Sequence, residues 1–181
     1  MSDLFFLILC CLIDFILSNV LVSDFAMVST IIAPATIYIG LICVCREKEL
    51  IRSVFLAFLV GIFIDFIAMN HFLVLALVYV VGILVSRIWS QQLSNSLFEQ
   101  TILLLSTIFV KEILVYLCML ANNSFSIGIS IWLQQRCIPT LLVNIPLILL
   151  ALGLFELKKR FDARKENAKR KEESLFWKEY K

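Results

Sequence analysis

The sequence predicts an all-α membrane protein with six transmembrane helices and with both ends of the chain in the cytoplasm. Of its 181 residues, 61% are hydrophobic and only 17% are charged, and the mean hydropathy is +0.97. A soluble domain is about half apolar and roughly a quarter charged, so this chain has too few polar groups for a water-facing surface. Its apolar runs are continuous, whereas a membrane β-barrel alternates apolar and polar residues within segments of about ten.

Six apolar stretches approach the length of about 20 residues that a helix needs to cross the hydrocarbon core. We expect spans at residues 4–22, 25–45, 53–69, 72–88, 98–121 and 136–157, and a basic helical tail at 158–181. The first stretch is expected to be a retained helix, because acidic rather than basic residues precede it and no small-x-small cleavage site follows.

The basic residues indicate the orientation of these helices. Ten of the 16 Lys and Arg residues lie in the tail, between Lys158 and Lys181. Four more occupy the loops that this topology places on the same side, namely Arg46, Lys48, Arg52 and Arg87. Only Arg136 falls in the predicted outer connections. This asymmetry follows the positive-inside rule and therefore places both termini in the cytoplasm.

Five of the polar residues inside the predicted spans are candidates for helix packing or partner binding, because polar groups in a bilayer are costly. They are Asp14, Asp65, Lys111, Glu112 and Asn144. Lys111 and Glu112 are adjacent, so their side chains diverge by about 100° around a helix. We therefore expect Lys111 to pair with Asp14 or Asp65, and Glu112 to face another polar group or a second subunit. A structural role is favoured, and a proton or ion relay is the weakest alternative.

The third predicted span carries a stripe of small residues that ends in an acid. Ser53, Ala57, Gly61 and Asp65 follow one another at a spacing of four, which places them on one face of a helix. Small residues let a neighbouring backbone approach closely, which is how helices commonly pack in lipid. The stripe is therefore a candidate docking surface for another helix.

Pro146 lies in the sixth predicted span, where it removes a backbone donor and predicts a kink. Asn144 is close enough in sequence to bond the carbonyls that the kink frees.

The tail is basic where it leaves the last predicted span. From Lys158 to Lys171 there are eight basic and two acidic residues. The favoured interpretation is a solvated helix that contacts anionic lipid, and the alternative is a docking segment for a cytoplasmic partner. The candidate contact residues are Lys158, Lys159, Arg160, Arg164 and Lys165.

Motifs for catalysis are missing from the sequence. It contains a single histidine, His71, and has no glycine-rich phosphate loop, no Ser-His-Asp set and no metal-ligand spacing. We therefore expect no enzymatic activity, no metal, no cofactor and no nucleic-acid partner.

The pattern resembles the MreD family, small membrane proteins of the bacterial rod-shape system. The resemblance covers most of residues 1–157 and rests on Pro34 in the second span, on the Gly-x-x-x-Asp motif from Gly61 to Asp65, on Glu99-Gln100 through Lys111-Glu112, and on Asn144. One departure is that the family commonly has a glycine shortly after this aspartate, where the chain has Asn70-His71-Phe72-Leu73.

The resemblance implies a non-enzymatic scaffold in the bacterial inner membrane that serves cell-wall elongation. The implied partners are an MreC-like protein, MreB-like filaments, RodA and a class B penicillin-binding synthase. The implied six-helix fold is similar to that of the substrate-binding subunits of energy-coupling-factor vitamin transporters. Such a subunit is the main alternative function, although the first span, residues 4–22, lacks the Ala-x-x-x-Ala pattern expected of one.

Overall fold

The computed structural model describes residues 3–20, 32–68, 73–90, 96–121 and 128–179, and all its regular elements in these ranges are helical. The first five helices are α1 (Asp3–Val20), α2 (Thr36–Cys45), α3 (Leu50–Ala68), α4 (Val74–Ser90) and α5 (Leu97–Ala121). The sixth rod consists of α6 (Ile129–Trp132), a π-helical turn (Leu133–Cys137) and α7 (Ile138–Glu179), which follow one another without a break.

This architecture confirms the predicted all-α membrane fold. By length and composition, four of the described helices could cross a membrane: α1, α3, α5 and the sixth rod. The two others, α2 and α4, are apolar but shorter, with 10 and 17 residues. Large apolar side chains cover the outward faces, as expected where lipid replaces water; those of α1 and α3 include Leu4, Phe5, Ile8, Phe15, Phe55, Phe63 and Phe66.

Helix α2 forms the centre of the bundle. All ten of its residues are buried, because α1, α3, α4 and α7 all pack against it. The core continues from α2 to Phe6 and Cys10 of α1, Ile108 of α5 and Ile148 of α7. The remaining helices follow in sequence around this centre, with α3 on α4, α4 on α5 and α5 on α7.

Residues 32–35, which fall within the predicted second span at 25–45, are not helical. Residues 21–31 lie outside the described part of the chain. The reason for the late start of α2 is Pro34, because a proline disfavours helical geometry in the residue before it. The sixth rod, in contrast, begins earlier than the predicted sixth span, at Ile129 rather than Arg136.

The N-terminus and the start of the tail lie at the same end of the bundle. Asp3, the first residue of α1, forms ion pairs with Lys158 of α7 and with Lys48 of the α2–α3 loop. Arg87, near the end of α4, donates to the carbonyl oxygen of Lys48. These contacts place all four residues at one end of the bundle. That this end faces the cytoplasm stays a prediction.

Candidate functional site

Asp14 binds the beginning of α2. Its two carboxylate oxygens accept hydrogen bonds from the backbone N–H groups of Thr36 at 2.7 Å and Ile37 at 2.8 Å. The first N–H groups of a helix have no partner within that helix, and the helix dipole makes this end partly positive. A carboxylate from α1 therefore satisfies both requirements at a partly buried point of the bundle.

Asp65 does the same for α4. Its oxygens accept hydrogen bonds from the backbone N–H groups of Leu75 and Ala76, both at 3.1 Å. Its side chain is buried, with 7% exposure. The two aspartates therefore have the same role. Each one accepts hydrogen bonds from the first turn of the helix that follows its own helix along the chain.

We expect Asp65→Ala to lower the free energy of unfolding by about 2–4 kcal/mol, because two buried N–H groups lose their acceptor. Asp65→Asn keeps one acceptor oxygen and should lose clearly less. Unfolding in detergent micelles measures both variants. Equal, small losses for the two variants would contradict this role for Asp65.

Asn144 of α7 supports the non-helical segment that precedes α2. Its Oδ1 accepts from the N–H of Ala35 at 3.0 Å, and its Nδ2 donates to the carbonyl oxygen of Ala33 at 3.1 Å. The N–H of Ala33 donates to the hydroxyl of Thr140 at 3.3 Å. Backbone that is not helical at membrane depth must find such partners, since neither water nor lipid can provide them.

The expectation that Asn144 bonds carbonyls freed by Pro146 was wrong. Within its own helix, Asn144 Nδ2 donates to the carbonyl oxygen of Thr140, at 2.7 Å, one turn before it. Its other hydrogen bonds go to the segment before α2. The backbone groups of that segment are not helical and therefore lack the hydrogen bonds that a helix would supply. Pro146 lies within α7, and the helix continues through it, so the kink stays a prediction.

Glu112 is the centre of an ion-pair cluster in the half of the bundle that is predicted to face outward. The side chain is 1% exposed, and its oxygens lie 3.1 Å from Lys111 Nζ and 3.1 Å from Arg136 Nε. Arg136 belongs to the π-helical turn, so the cluster joins α5 to the sixth rod.

The structure corrects the predicted pairing of Lys111. Lys111 pairs with its neighbour Glu112 rather than with Asp14 or Asp65. The carboxylates of Asp14 and Asp65 already accept hydrogen bonds from the first turns of α2 and α4. The long lysine side chain is flexible enough to bend back and contact the residue next to it. The ammonium group also lies 5.9 Å from the centre of the Tyr38 ring, a distance that suits a cation–π interaction.

Two tyrosines fill the space beside this cluster. The ring centres of Tyr38 and Tyr79 are 5.0 Å apart, and the Tyr38 hydroxyl donates to the carbonyl oxygen of Thr107 at 3.4 Å. Tyr38 packs directly on Gly82: a Cβ atom there would lie 2.8 Å from Tyr38 Cζ and would also overlap the hydroxyl. The close fit shows that these rings act as packing groups between α2 and α4.

The small-residue stripe of α3 is covered by the chain's own helices. Ser53 and Ala57 are fully buried, and the Ser53 hydroxyl donates to the carbonyl oxygen of Cys45 at 3.0 Å. A Cβ atom at Gly61 would lie 2.9 Å from the backbone nitrogen of Ala76. The stripe therefore packs on α2 and α4, and the surface that we expected to serve a partner helix is occupied within the chain.

The residue before α4 has a backbone conformation that favours glycine. Leu73 has a φ of +68°, the single positive value among non-glycine residues in the described ranges. It lies where the chain departs from the MreD pattern, in which a glycine follows the aspartate. Residues 69–72, which include His71, lie outside the described part.

We expect Leu73→Gly to raise the free energy of unfolding by about 0.5–1 kcal/mol. A left-handed conformation costs a non-glycine residue roughly 1–2 kcal/mol, and the greater freedom of glycine in the unfolded chain offsets part of this gain. Leu77→Gly, within α4, is the matched control and should destabilise. A loss of stability with Leu73→Gly would contradict the strain at this position.

Two of the predicted lipid or partner contact residues in the tail form ion pairs with the bundle. Lys158 is 4% exposed and pairs with Asp3, and Lys159 Nζ lies 2.9 Å from Glu47. Both ammonium groups also lie near the ring of Phe155, at 5.2 and 4.9 Å from its centre. Lys159 is nevertheless exposed, as are the other predicted contact residues, namely Arg160, Arg164 and Lys165.

Sequence reasoning missed three features of this site. It placed Arg136 in an outer loop, although Arg136 is a partner of Glu112. It also did not pair Thr140 with the segment before α2, and it gave no role to Gly82. The signals available for these features were weak: a proline before α2, and a glycine in an otherwise bulky apolar helix.

No family model, no curated protein and no solved structure matches this chain. The geometry of its described residues therefore carries the functional argument.

Proposed function

We propose that this protein is a non-enzymatic scaffold of the bacterial inner membrane that serves the cell-wall elongation machinery. The observation that supports the proposal is the use made of the intramembrane polar groups. Asp14, Asp65 and Asn144 bind the chain's own backbone, and Glu112 binds its own cations. Such bonds hold helices in fixed positions, which is the property that a scaffold requires.

The resemblance to the MreD family supplies the biological setting of the proposal. The motif from Gly61 to Asp65 serves here to bring α3 and α4 together, because Gly61 permits the close approach and Asp65 caps the partner helix. The proposed partners are an MreC-like protein, MreB-like filaments, RodA and a class B penicillin-binding synthase. Anionic lipid remains a proposed contact for Arg160, Arg164 and Lys165, which are exposed.

Affinity purification from gently solubilised membranes tests this proposal. We expect to recover an MreC-like protein with one membrane helix. A matched sample with Asp65→Ala should recover less of it, because the α3–α4 pair is weakened. Recovery of an ATPase pair with a coupling subunit would contradict the proposal.

That outcome would favour the alternative, a substrate-binding subunit of a vitamin transporter. One observation fits the alternative: aromatic and charged side chains gather in the predicted outer half around Tyr38 and Glu112. The close packing of Tyr38 on Gly82 weighs against it, because a ligand pocket there would require the ring to move. Tight binding of a water-soluble vitamin to the purified protein would establish the alternative.

A further inference from the structure

A groove lies on the outward surface of the bundle, between α5 and α7. Its volume is about 380 Å³. Side chains of three helices line it, including Trp89 of α4, Phe109 of α5, and Leu141, Leu142 and Ile145 of α7. The Ser106 hydroxyl, which also lines the groove, donates to the carbonyl oxygen of Ile102 within α5 at 2.8 Å. The groove therefore suits large apolar groups, because its hydroxyl already has a partner.

The same side of α7 continues from the groove toward the end of the bundle that is predicted to be cytoplasmic. Leu142, Ile145, Leu149, Gly153 and Glu156 follow one another at spacings of three or four, so they share one side of the helix. All five are exposed on the outside of the bundle. These five residues, together with the groove, form what we call the exposed α7 face.

Gly153 stands out among the helical glycines because the packing of the chain does not use it. A Cβ atom at Gly40, Gly61 or Gly82 would overlap a neighbouring helix, whereas a Cβ atom at Gly153 would have nothing within 4 Å. Glycine is also the poorest helix former after proline. On a membrane helix, a missing side chain lets the backbone of another helix approach closely.

Glu156 adds a negative charge at the end of this face. It is exposed, and the next two cations along α7 pair instead with Asp3 and Glu47. The cytoplasmic leaflet contains anionic lipid, which repels a carboxylate. Membrane helices carry an excess of Lys and Arg at their cytoplasmic ends, and such residues would be attracted to it. The charge therefore complements the end of a membrane helix better than it complements a lipid headgroup.

The length of the exposed α7 face also favours a helix as its occupant. From Leu142 to Glu156 the helix rises by about 21 Å, at about 1.5 Å per residue. One leaflet of the hydrocarbon core is about 15 Å deep, half of roughly 30 Å, so a single acyl chain would cover only part of the face. A second copy of the chain, related by a two-fold axis, would bring two Glu156 carboxylates together, which like charges oppose.

We propose that the exposed α7 face binds one transmembrane helix of another membrane protein. Large apolar side chains of that helix fill the groove, its backbone passes close to Gly153, and a Lys or Arg at its cytoplasmic end lies opposite Glu156. The inference goes beyond the proposed function, because it holds whichever cellular process the partner serves.

A photo-cross-linking residue at Leu149 of the full chain, in native membranes, tests the proposal. We expect an adduct with one other protein, formed within a transmembrane helix that has Lys or Arg at its cytoplasmic end. Phe63 of α3 is the matched control position, because it and Leu149 are both 56% exposed. The same cross-linking residue at position 63 should give none of this adduct.

Two substitutions test the contacts at Gly153 and Glu156. Gly153→Leu should lower the adduct yield about tenfold by preventing the close approach, and Glu156→Lys should do the same by opposing like charges. Replacing the partner's basic residue with Glu should restore the adduct with Glu156→Lys. Neither variant should unfold at a lower temperature than the unmodified protein in detergent, because neither side chain is packed within the bundle.

Four results would overturn the proposal: adducts with lipid alone, an adduct with a second copy of this chain, an adduct that neither substitution lowers, and no adduct at Leu149. None of them would contradict the proposed function, which the affinity purification tests separately.

Discussion

Replacing Glu112 with glutamine should lower the free energy of unfolding by about 3–5 kcal/mol, the cost of removing one partner from a buried ion pair. The change leaves Lys111 and Arg136 without a counter-charge in the interior of the bundle, where Glu112 is 1% exposed. Because the cluster joins α5 to the π-helical turn, the outer part of the sixth rod should also lose its position. Unfolding in detergent micelles measures the loss.

Glu156→Gln provides the matched control, because Glu156 is exposed on α7 and undergoes the same chemical change. It should alter stability by less than about 0.5 kcal/mol. A triple variant with leucine at positions 111, 112 and 136 should recover much of the loss, since buried ion clusters can often be replaced by apolar residues. Equal effects of Glu112→Gln and Glu156→Gln would show that the cluster does not hold the helices together.

The second large effect is expected at Gly61. A Cβ atom there would lie 2.9 Å from the backbone nitrogen of Ala76 and 3.1 Å from the carbonyl oxygen of Leu75. The obstructing atoms belong to the backbone of α4, so no side chain can rotate away. Gly61→Ala should therefore destabilise by about 3 kcal/mol, at the upper end of the usual range for overpacking.

Gly153→Ala tests whether this loss comes from the α3–α4 contact. Gly153 is exposed on α7, and a Cβ atom there would have nothing within 4 Å. Alanine is the better helix former by up to about 1 kcal/mol, so this variant should be neutral or slightly more stable. Thermal unfolding of both variants in the same detergent shows whether each substitution lowers or raises the stability of the protein. A stabilising Gly61→Ala would contradict the close approach of α3 and α4.

The helices were predictable from the sequence because their signal is local. An apolar run of sufficient length produces a helix whatever its partners are, as α1, α3 and α5 show. The stripe from Ser53 to Asp65 also predicted a close helix contact, which exists, because small residues at a spacing of four determine one face. The helices that cover it, α2 and α4, could not be predicted, since the pattern carries no information about which helices pack on that face.

The polar contacts were less predictable because their partners are distant in the chain. Asp3 and Lys158 are separated by 155 positions, and Ala33 and Asn144 by 111. No periodicity connects such residues. Lys111 was assigned to the wrong carboxylate because a backbone N–H can satisfy an aspartate as fully as a lysine can, and a sequence does not show where a neighbouring helix begins.

Hydrogen exchange at the first turns of α2 and α4 is the most direct test of the account, which holds that each intramembrane aspartate binds the start of the helix that follows it. Asp14→Ala should speed exchange at the amides of Thr36 and Ile37 and leave those of Leu75 and Ala76 unchanged. Asp65→Ala should produce the reverse pattern. If neither variant changes the exchange of its own pair of amides, or if both change all four amides equally, the account is contradicted.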